Sequence, residues 1–323
     1  MDLSLVIPLY NEDESLPELV AWIDKVVKGI SLSYEIIMID DGSTDRSWEV
    51  ITELSAKYGT IHGIRFLHNN GKSAALQVGF QASLGAVVIT MDADLQDSPD
   101  EIPELYRMIK EDGFDLVSGW KQKRHDPISK TIPSKFFNFI TRLTSGINNL
   151  HDFNCGLKAY RSDVVKNIQV FGEMHRYIPV MAKWNGYTKI TEKVVQHQER
   201  KYGVTKFGLN RFINGFLDLI TITLTQRYLQ RPMHFFGFWG VLFSLVGGLD
   251  LLYLLVSKIF FGQGLGARMP ALFFGSVCFL SGLILFATGL LAELIGRNSP
   301  YKDQYKIKET VGGKDEKSIS NIE

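Results

Sequence analysis

Two carboxylates one residue apart open the stretch Asp92-Ala93-Asp94-Leu95-Gln96-Asp97. They close an apolar run, Ala86 to Met91, that reads as a buried parallel strand. Ser98 then serves as N-cap of a helix with Pro99 in its first turn. Paired carboxylates at the end of a buried strand repel each other in a partly desolvated crevice. A divalent cation with oxygen ligands removes that conflict and also neutralises a diphosphate. An isolated acidic pair is commonly just a solvated loop, so the surrounding residues decide its meaning.

The elements that must position this pair repeat a pattern. Leu3 to Leu9 is an apolar run followed by Tyr10-Asn11-Glu12, then a helix with Leu16, Leu19, Val20, Ile23, Val26 and Val27 on one face. Tyr34 to Ile39 reads as a second strand ending in Asp40-Asp41-Gly42-Ser43-Thr44-Asp45. Ser43 or Thr44 is placed to cap the next helix, which buries Trp48, Ile51 and Leu54. Gly63 to Leu67 is a third strand, followed by His68-Asn69-Asn70-Gly71-Lys72 and a helix from Ser73 to Leu84. Phe114 to Val117 follows the acidic strand and leads to Lys121. Strands alternating with helices predict an α/β domain with a mostly parallel sheet. Five polar turns then fall at the carboxyl ends of strands, the edge where open α/β sheets bind ligands. No G-x-G-x-x-G follows the first strand and no P-loop occurs, which disfavours dehydrogenases and P-loop NTPases. Further on, Asp152 to Arg161 reads as a turn entering a strand and Lys189 to Gln198 as a half-exposed strand. Arg200 to Lys206 is a basic, glycine-containing loop suited to a phosphate.

Formal net charge is zero across 323 residues, so no nucleic-acid partner is expected from bulk electrostatics. Cys155 and Cys278 form neither a zinc nor a disulfide pattern. The first residues lack a basic region and read as a strand, not a signal peptide. Most long apolar runs come after Leu209. Leu209 to Leu229 mixes apolar residues with Arg211, Asp218 and Arg227, which predicts an amphipathic helix at a membrane interface. Phe235 to Val256 and Ala271 to Ile295 are each long enough to span a bilayer, with Asp250 interrupting the first. The chain therefore divides into a soluble domain at 1–207, juxtamembrane helices at 208–232, two spans within 233–297 and a polar, partly disordered tail at 298–323. Arg227 and Arg231 precede the spans and Arg297, Lys302, Lys306 and Lys308 follow them. Only Lys258 and Arg268 lie between. That asymmetry places the soluble domain and both termini in the cytoplasm, on the inner membrane. Gly247, Gly248, Gly282 and Gly289 suit packing of the spans against copies of themselves, hence a homo-oligomer.

Taken together, Ile7-Pro8-Leu9-Tyr10-Asn11-Glu12, Ile39-Asp40-Asp41-Gly42-Ser43-Thr44-Asp45, Asp92-Ala93-Asp94-Leu95-Gln96 and Asp152-Phe153-Asn154-Cys155-Gly156-Leu157-Lys158-Ala159-Tyr160-Arg161 carry a resemblance. The chain resembles the inverting family-two glycosyltransferases of the GT-A fold, within them the polyprenyl-phosphate, dolichol-phosphate mannose synthase-like group. The resemblance runs to about Tyr305. It implies transfer of one sugar from a UDP- or GDP-linked donor to a polyprenyl phosphate, undecaprenyl or dolichyl, with inversion and with Mg2+ or Mn2+. It also implies roles. Pro8, Tyr10, Asn11, Glu12, Asp40, Asp41 and Lys72 would hold the nucleotide sugar together with Asp92, Ala93 and Asp94. Asp92, Asp94 and Gln96 would gather around the metal. Lys121, Ser134, Lys135, Arg200 and Lys206 would take the acceptor phosphate. Asp152 would act as base or positioning carboxylate, beside Asp94 and Lys135 in the catalytic group, and His175-Arg176 would either close over the donor or serve the structure. Two other readings compete. A processive polysaccharide synthase would carry a Q-x-x-R-W motif, which is absent, and more spans than two. A non-catalytic membrane scaffold would not need to keep Asp92 and Asp94.

Overall fold

Leu3–Leu9 (β1) is buried along all seven residues, as its unbroken apolar sequence requires of a strand covered on both faces. In the computed structural model it is paired in parallel with Tyr34–Asp40 (β2) on one side and Val87–Thr90 (β4) on the other. The structure describes residues 1–122, 138, 141–142, 145–172, 174–198, 201, 232–262, 264, 266–298 and 307–311. The described strands form one eight-stranded sheet in the order β7-β5-β6-β4-β1-β2-β3-β8. Ile61–Phe66 (β3) runs parallel to β2, and Leu116–Trp120 (β5) is parallel to Ile190–Val194 (β7). Lys158–Arg161 (β6) is inserted antiparallel between β4 and β5, so the carboxyl ends of β1 to β5 still share one edge.

Helices Leu16–Gly29 (α1), Ser47–Tyr58 (α2), Lys72–Ala82 (α3) and Ile102–Lys110 (α4) connect these strands. The expected faces are the buried ones: Leu16, Leu19, Val20, Ile23 and Val27 on α1, with Val26 packed partly buried against the core, and Trp48, Ile51 and Leu54 on α2. Shorter helices Ser162–Asn167 (α5) and Ile178–Trp184 (α6) follow β6. Three details differ from the sequence reading. The fifth strand lies at Leu116–Trp120 and so carries its polar end to Lys121 directly. Neither Ser43 nor Thr44 caps α2; Asp45 Oδ1 instead accepts from Ser47 N at 3.0 Å, and Ser43 is used elsewhere. The polar tail contributes Ile307–Val311 (β8), antiparallel on β3, because the exposed edge of β3 offers a ladder that any extended segment can complete.

The second unit contains two 30-residue helices, Pro232–Phe261 (α7) and Met269–Asn298 (α8). Each is about 45 Å long at ~1.5 Å per residue, more than the ~30 Å of a bilayer core. Their apolar side chains are largely exposed, as membrane-facing surface is. The juxtamembrane helices expected at 208–232 lie almost wholly outside the described residues. Where α7 and α8 touch, glycines recur. A Cβ on Gly240 would sit 2.8 Å from Phe286 N and 2.9 Å from Gly282 O; one on Gly247 would collide with the backbone of Phe279, and one on Gly289 would press on Phe236. The glycines expected to mediate self-association thus serve close packing within the chain, and Gly248 meets only the Phe279 ring, at 3.8 Å. Association between copies therefore draws no support from Gly247, Gly282 or Gly289. Asp250 faces Gly275 of α8, so the charge inside the first span is turned toward protein.

This contact generates a paired test. Gly247→Ala should lower the melting temperature of the detergent-solubilised chain, costing ~1–3 kcal/mol as overpacking does. Gly248→Ala, one residue away, should leave it unchanged.

Candidate active site

Each polar turn at the sheet edge is tied to its neighbour through backbone groups. Asn11, at φ 56°, accepts from Thr44 N at 2.9 Å through its side chain, while Asn11 N donates to Ser43 Oγ at 2.9 Å. Glu12 N donates to Ser47 Oγ at 3.0 Å. Asp40 is fully buried, accepts from Ser43 N at 2.8 Å and lies 3.3 Å from Arg65 Nε. Asp41 accepts from Asn70 N at 2.7 Å and Gly71 N at 2.9 Å, one oxygen to each. Burial pushes both carboxyls above the usual carboxylate range, against those hydrogen bonds. The two aspartates expected to hold the base or ribose are therefore first of all the clamps that set the turns after β2 and β3. Pro8 is buried at the end of β1, and Tyr10 is half-buried beside it.

The acidic turn after β4 is the densest part of the edge. Leu95 takes φ 61° although it is a bulky residue and nearly fully buried, a strained backbone held by its surroundings. That kink lets Asp94 Oδ1 accept from Gln96 N at 3.2 Å. Asp92 pairs with Lys72 at the start of α3. Burial opposes ionisation of Asp92, but Lys72 and then Lys121 outweigh it and hold its carboxyl down at about 2. On the other side a Cβ at Gly156 would lie 2.5 Å from Asp92 Oδ2, so the loop before β6 closes onto this carboxylate only because residue 156 is glycine.

Asp97, the third acidic residue of the turn, is fully buried and pairs with Lys121 Nζ at 2.8 Å. Burial works against the Lys121 charge, yet Asp97 above all, with Asp92, raises its pKa. Lys121 was expected at the acceptor phosphate; the structure gives it a carboxylate partner inside the sheet edge. Lys158, a residue to which sequence reasoning gave no role, is buried on β6 and donates to the carbonyl of Cys155. Burial lowers its pKa, with Asp152 and Asp92 among the charges that counter this. The signal that pointed to it was its place in the Asp152 to Arg161 segment. Asp152 is itself buried; its Oδ1 accepts from Asn154 N at 3.1 Å and its carbonyl from Ser118 Oγ at 3.2 Å. His175 reaches the start of α3, its Nδ1 3.1 Å from Ser73 Oγ, so the His175-Arg176 segment does lie beside Lys72. Ser134, Lys135, Arg200 and Lys206 lie outside the described residues.

The donor set fits a hard divalent cation. Asp92, held ionised, with Asp94 and the Gln96 side chain supply oxygen, the ligand type that Mg2+ and Mn2+ select. No cluster of three or more His, Cys, Asp or Glu side chains suited to a metal occurs among the described residues. A cation here would therefore complete its shell from a diphosphate and water, the usual habit of Mg2+ at phosphate sites.

Two outcomes follow. Lys121→Met should destabilise the soluble domain by ~3–5 kcal/mol, the cost of leaving a buried charge unpaired, and adding Asp97→Asn should restore most of it. Thermal unfolding of the purified chain measures both. Burial pushes the Cys155 thiol up to about 12, so iodoacetamide at pH 8 should leave Cys155 unlabelled in the folded chain and label it after denaturation, read by mass spectrometry.

The arrangement matches known proteins in sequence and fold. Residues 4–169 match the family model described as glycosyl transferase family 2. A dodecaprenyl-phosphate galacturonate synthase of Rhizobium johnstonii is 36% identical over 306 residues, 94% of this chain and 90% of the relative. An undecaprenyl-phosphate 4-deoxy-4-formamido-L-arabinose transferase of Pseudomonas paraeruginosa is 34% identical over 296 residues, 91% of this chain and 85% of its own. Among solved structures, glucosyl-3-phosphoglycerate synthase from Mycobacterium tuberculosis, crystallised with Mn2+ and uridine-diphosphate-glucose, superposes with a TM-score of 0.51 at 17% identity. It covers 70% of this chain and 78% of that one. Mannosyl-3-phosphoglycerate synthase from Rubrobacter xylanophilus reaches a TM-score of 0.55 at 14% identity, over 70% and 75%. At those identities the likeness is one of fold, the GT-A arrangement of a mostly parallel sheet. With half of its length matched by the family model and relatives above 30% identity along nearly all of it, the chain belongs to glycosyl transferase family 2 and is a glycosyltransferase.

Proposed function

We propose that this enzyme transfers one sugar from a nucleoside-diphosphate donor to a polyprenyl phosphate at the cytoplasmic face of the membrane, with inversion at the anomeric carbon. One observation carries the reading. The relatives named for dodecaprenyl- and undecaprenyl-phosphate products align over 91–94% of this chain, hence along the two membrane-length helices as well as the soluble domain. The absence of Q-x-x-R-W, and a pair of such helices among the described residues, weigh against a polymer-extending enzyme.

In this reading an oxygen of the lipid phosphate attacks the anomeric carbon, the bond from that carbon to the diphosphate breaks, and its electron pair leaves with the nucleoside diphosphate. The acceptor is already an anion, so the main demand is to hold two phosphate groups together and in line. Asp92 and Asp94, with Gln96, hold Mg2+ or Mn2+, which when bound stabilises charge on the departing diphosphate. Lys72 contributes positive charge beside Asp92. The clamps at Asn11, Asp40 and Asp41 keep the nucleotide side rigid through backbone amides, so that it is organised before the donor arrives. Lys121, Ser134, Lys135, Arg200 and Lys206 remain the sequence-derived candidates for the lipid phosphate.

Sidedness follows from two supports. β8 comes after the second long helix and pairs with β3 of the N-terminal domain, so the chain enters and leaves the membrane on one side if both helices span. The basic residues flanking the pair outnumber those between them, which supports the cytoplasm as that side.

The test is a panel of radiolabelled UDP- and GDP-sugars offered to purified membranes with polyprenyl phosphate and Mg2+ or Mn2+, counting label in the organic phase. One donor should give metal-dependent labelled lipid, and Asp94→Asn should lower the rate ~100-fold or more, the scale of losing an electrostatic contact to the transition state. Polymer or free sugar without labelled lipid would overturn the reading.

A further inference from the structure

His151 stands immediately before Asp152 and is fixed from three sides. Its Nδ1 is 2.5 Å from Glu192 Oε1, its backbone N donates to Glu192 Oε2 at 2.6 Å, and its ring stacks on Trp120 with centroids 4.3 Å apart and planes 15° from parallel. The Glu192 side chain is mostly covered, at 13% exposure, whereas that of His151 is 50% exposed. A surface histidine rarely has its plane, its rotation and one nitrogen all determined by neighbours. A carboxylate accepts, so Nδ1 carries the proton, and the second nitrogen, Nε2, meets no hydrogen-bond partner among the described residues.

The surroundings say what Nε2 would meet. Trp120 ends β5 at the ligand edge, directly before Lys121. Four residues after Asp152, Gly156 lies against the Asp92 carboxylate. The His151 carbonyl accepts from Asn138 Nδ2 at 2.9 Å, and Asn138 follows Ser134 and Lys135 by four and three residues in the sequence. The dyad thus stands beside the end of β5, whose next residue, Lys121, pairs with Asp97 of the acidic turn, and directly before Asp152 in the chain.

We infer that His151, oriented by Glu192, is a contact of the acceptor's phosphomonoester, an inference that rests on the acceptor reading above. A phosphomonoester has its second pKa near ~6, so it meets an imidazole as a pair sharing one proton. In one form the imidazolium Nε2–H donates to the phosphate dianion. In the other, Nε2 accepts the P–O–H proton of the monoanion, freeing the oxygen that forms the new bond to the anomeric carbon; that proton then passes to water. Glu192 stabilises the charged ring in both, and acts as a positioning residue. Trp120 sets the ring plane and shields it from one side.

The experiment is equilibrium binding of farnesyl phosphate, and separately of inorganic phosphate, UDP and GDP, to the full-length chain in detergent, alongside KM and kcat for lipid transfer. His151→Ala should weaken farnesyl phosphate binding ~10-fold or more, the value of one charge-assisted hydrogen bond, and raise the acceptor KM alike. His151→Gln, which keeps a donor near Nε2, should recover part of it. Glu192→Gln, nearly isosteric, should fall between and keeps the test open if His151→Ala folds poorly. Nucleotide affinity and donor KM should stay within about twofold, since those contacts lie at β1 to β4. Unchanged farnesyl phosphate binding in both His151 variants, or an equal loss for nucleotide, overturns the inference and leaves the dyad as a staple between the loop and β7. A wild type that neither binds nor glycosylates farnesyl phosphate overturns the acceptor reading instead. Inorganic phosphate then decides for His151: binding lost in His151→Ala sustains a phosphate site, and binding retained removes it.

Discussion

A carboxylate without solvent must find a cation, and the ion pair between Asp97 and Lys121 is where the sheet edge meets that demand. Asp97 is fully buried after the acidic turn, and Lys121 is the first residue beyond β5. Their 2.8 Å contact ties the turn after β4 to the end of β5, two strands that β6 separates in the sheet. Ionising both in the interior costs several kcal/mol each, recovered only if their geometry is fixed. The pair therefore sets how the acidic turn sits against β5, and with it the disposition of Asp92 and Asp94.

The same logic repeats along the edge. Lys72 answers Asp92 from the start of α3, Lys158 lies on β6, and Gly156 lets the loop before β6 close onto the Asp92 carboxylate. Asp40 takes the Ser43 amide of its own turn and Arg65 as its cation, and Asp41 takes two backbone amides from the turn after β3. The ligand edge proposed to receive two anionic phosphates is thus built with its own charges already balanced or hydrogen-bonded. Incoming charge then meets oriented dipoles and lysines, with little reorganisation left to do.

The membrane unit solves a different problem. Apolar helices gain nothing from hiding apolar area in a bilayer, so α7 and α8 associate by backbone approach at glycines. Gly240 and Gly247 on one helix, and Gly275, Gly282 and Gly289 on the other, recur every seven residues. A heptad of small residues keeps one seam facing the partner along the length of both helices. Asp250 lies on that seam against Gly275, which removes the carboxylate from direct exposure to lipid.

Much of this was legible in the sequence. Period-two and period-3.6 apolar patterns, with polar residues at each strand end, are local properties, and they gave the α/β alternation, the ligand edge and the two long helices. The family motifs named the residues that crowd that edge. Partnership was not legible. That Lys121 belongs to Asp97, that Asp41 clamps the turn after β3, that the glycines of α7 and α8 face each other and that Ile307–Val311 joins β3 all depend on segments far apart in the chain. The His151–Glu192–Trp120 arrangement is of the same kind: no spacing joins residues 31 and 41 positions apart. Sequence fixes which groups need a partner, because burial and charge follow from residue type. Which partner each one receives is decided by the tertiary fold, because only strand order and register bring distant side chains within bonding distance.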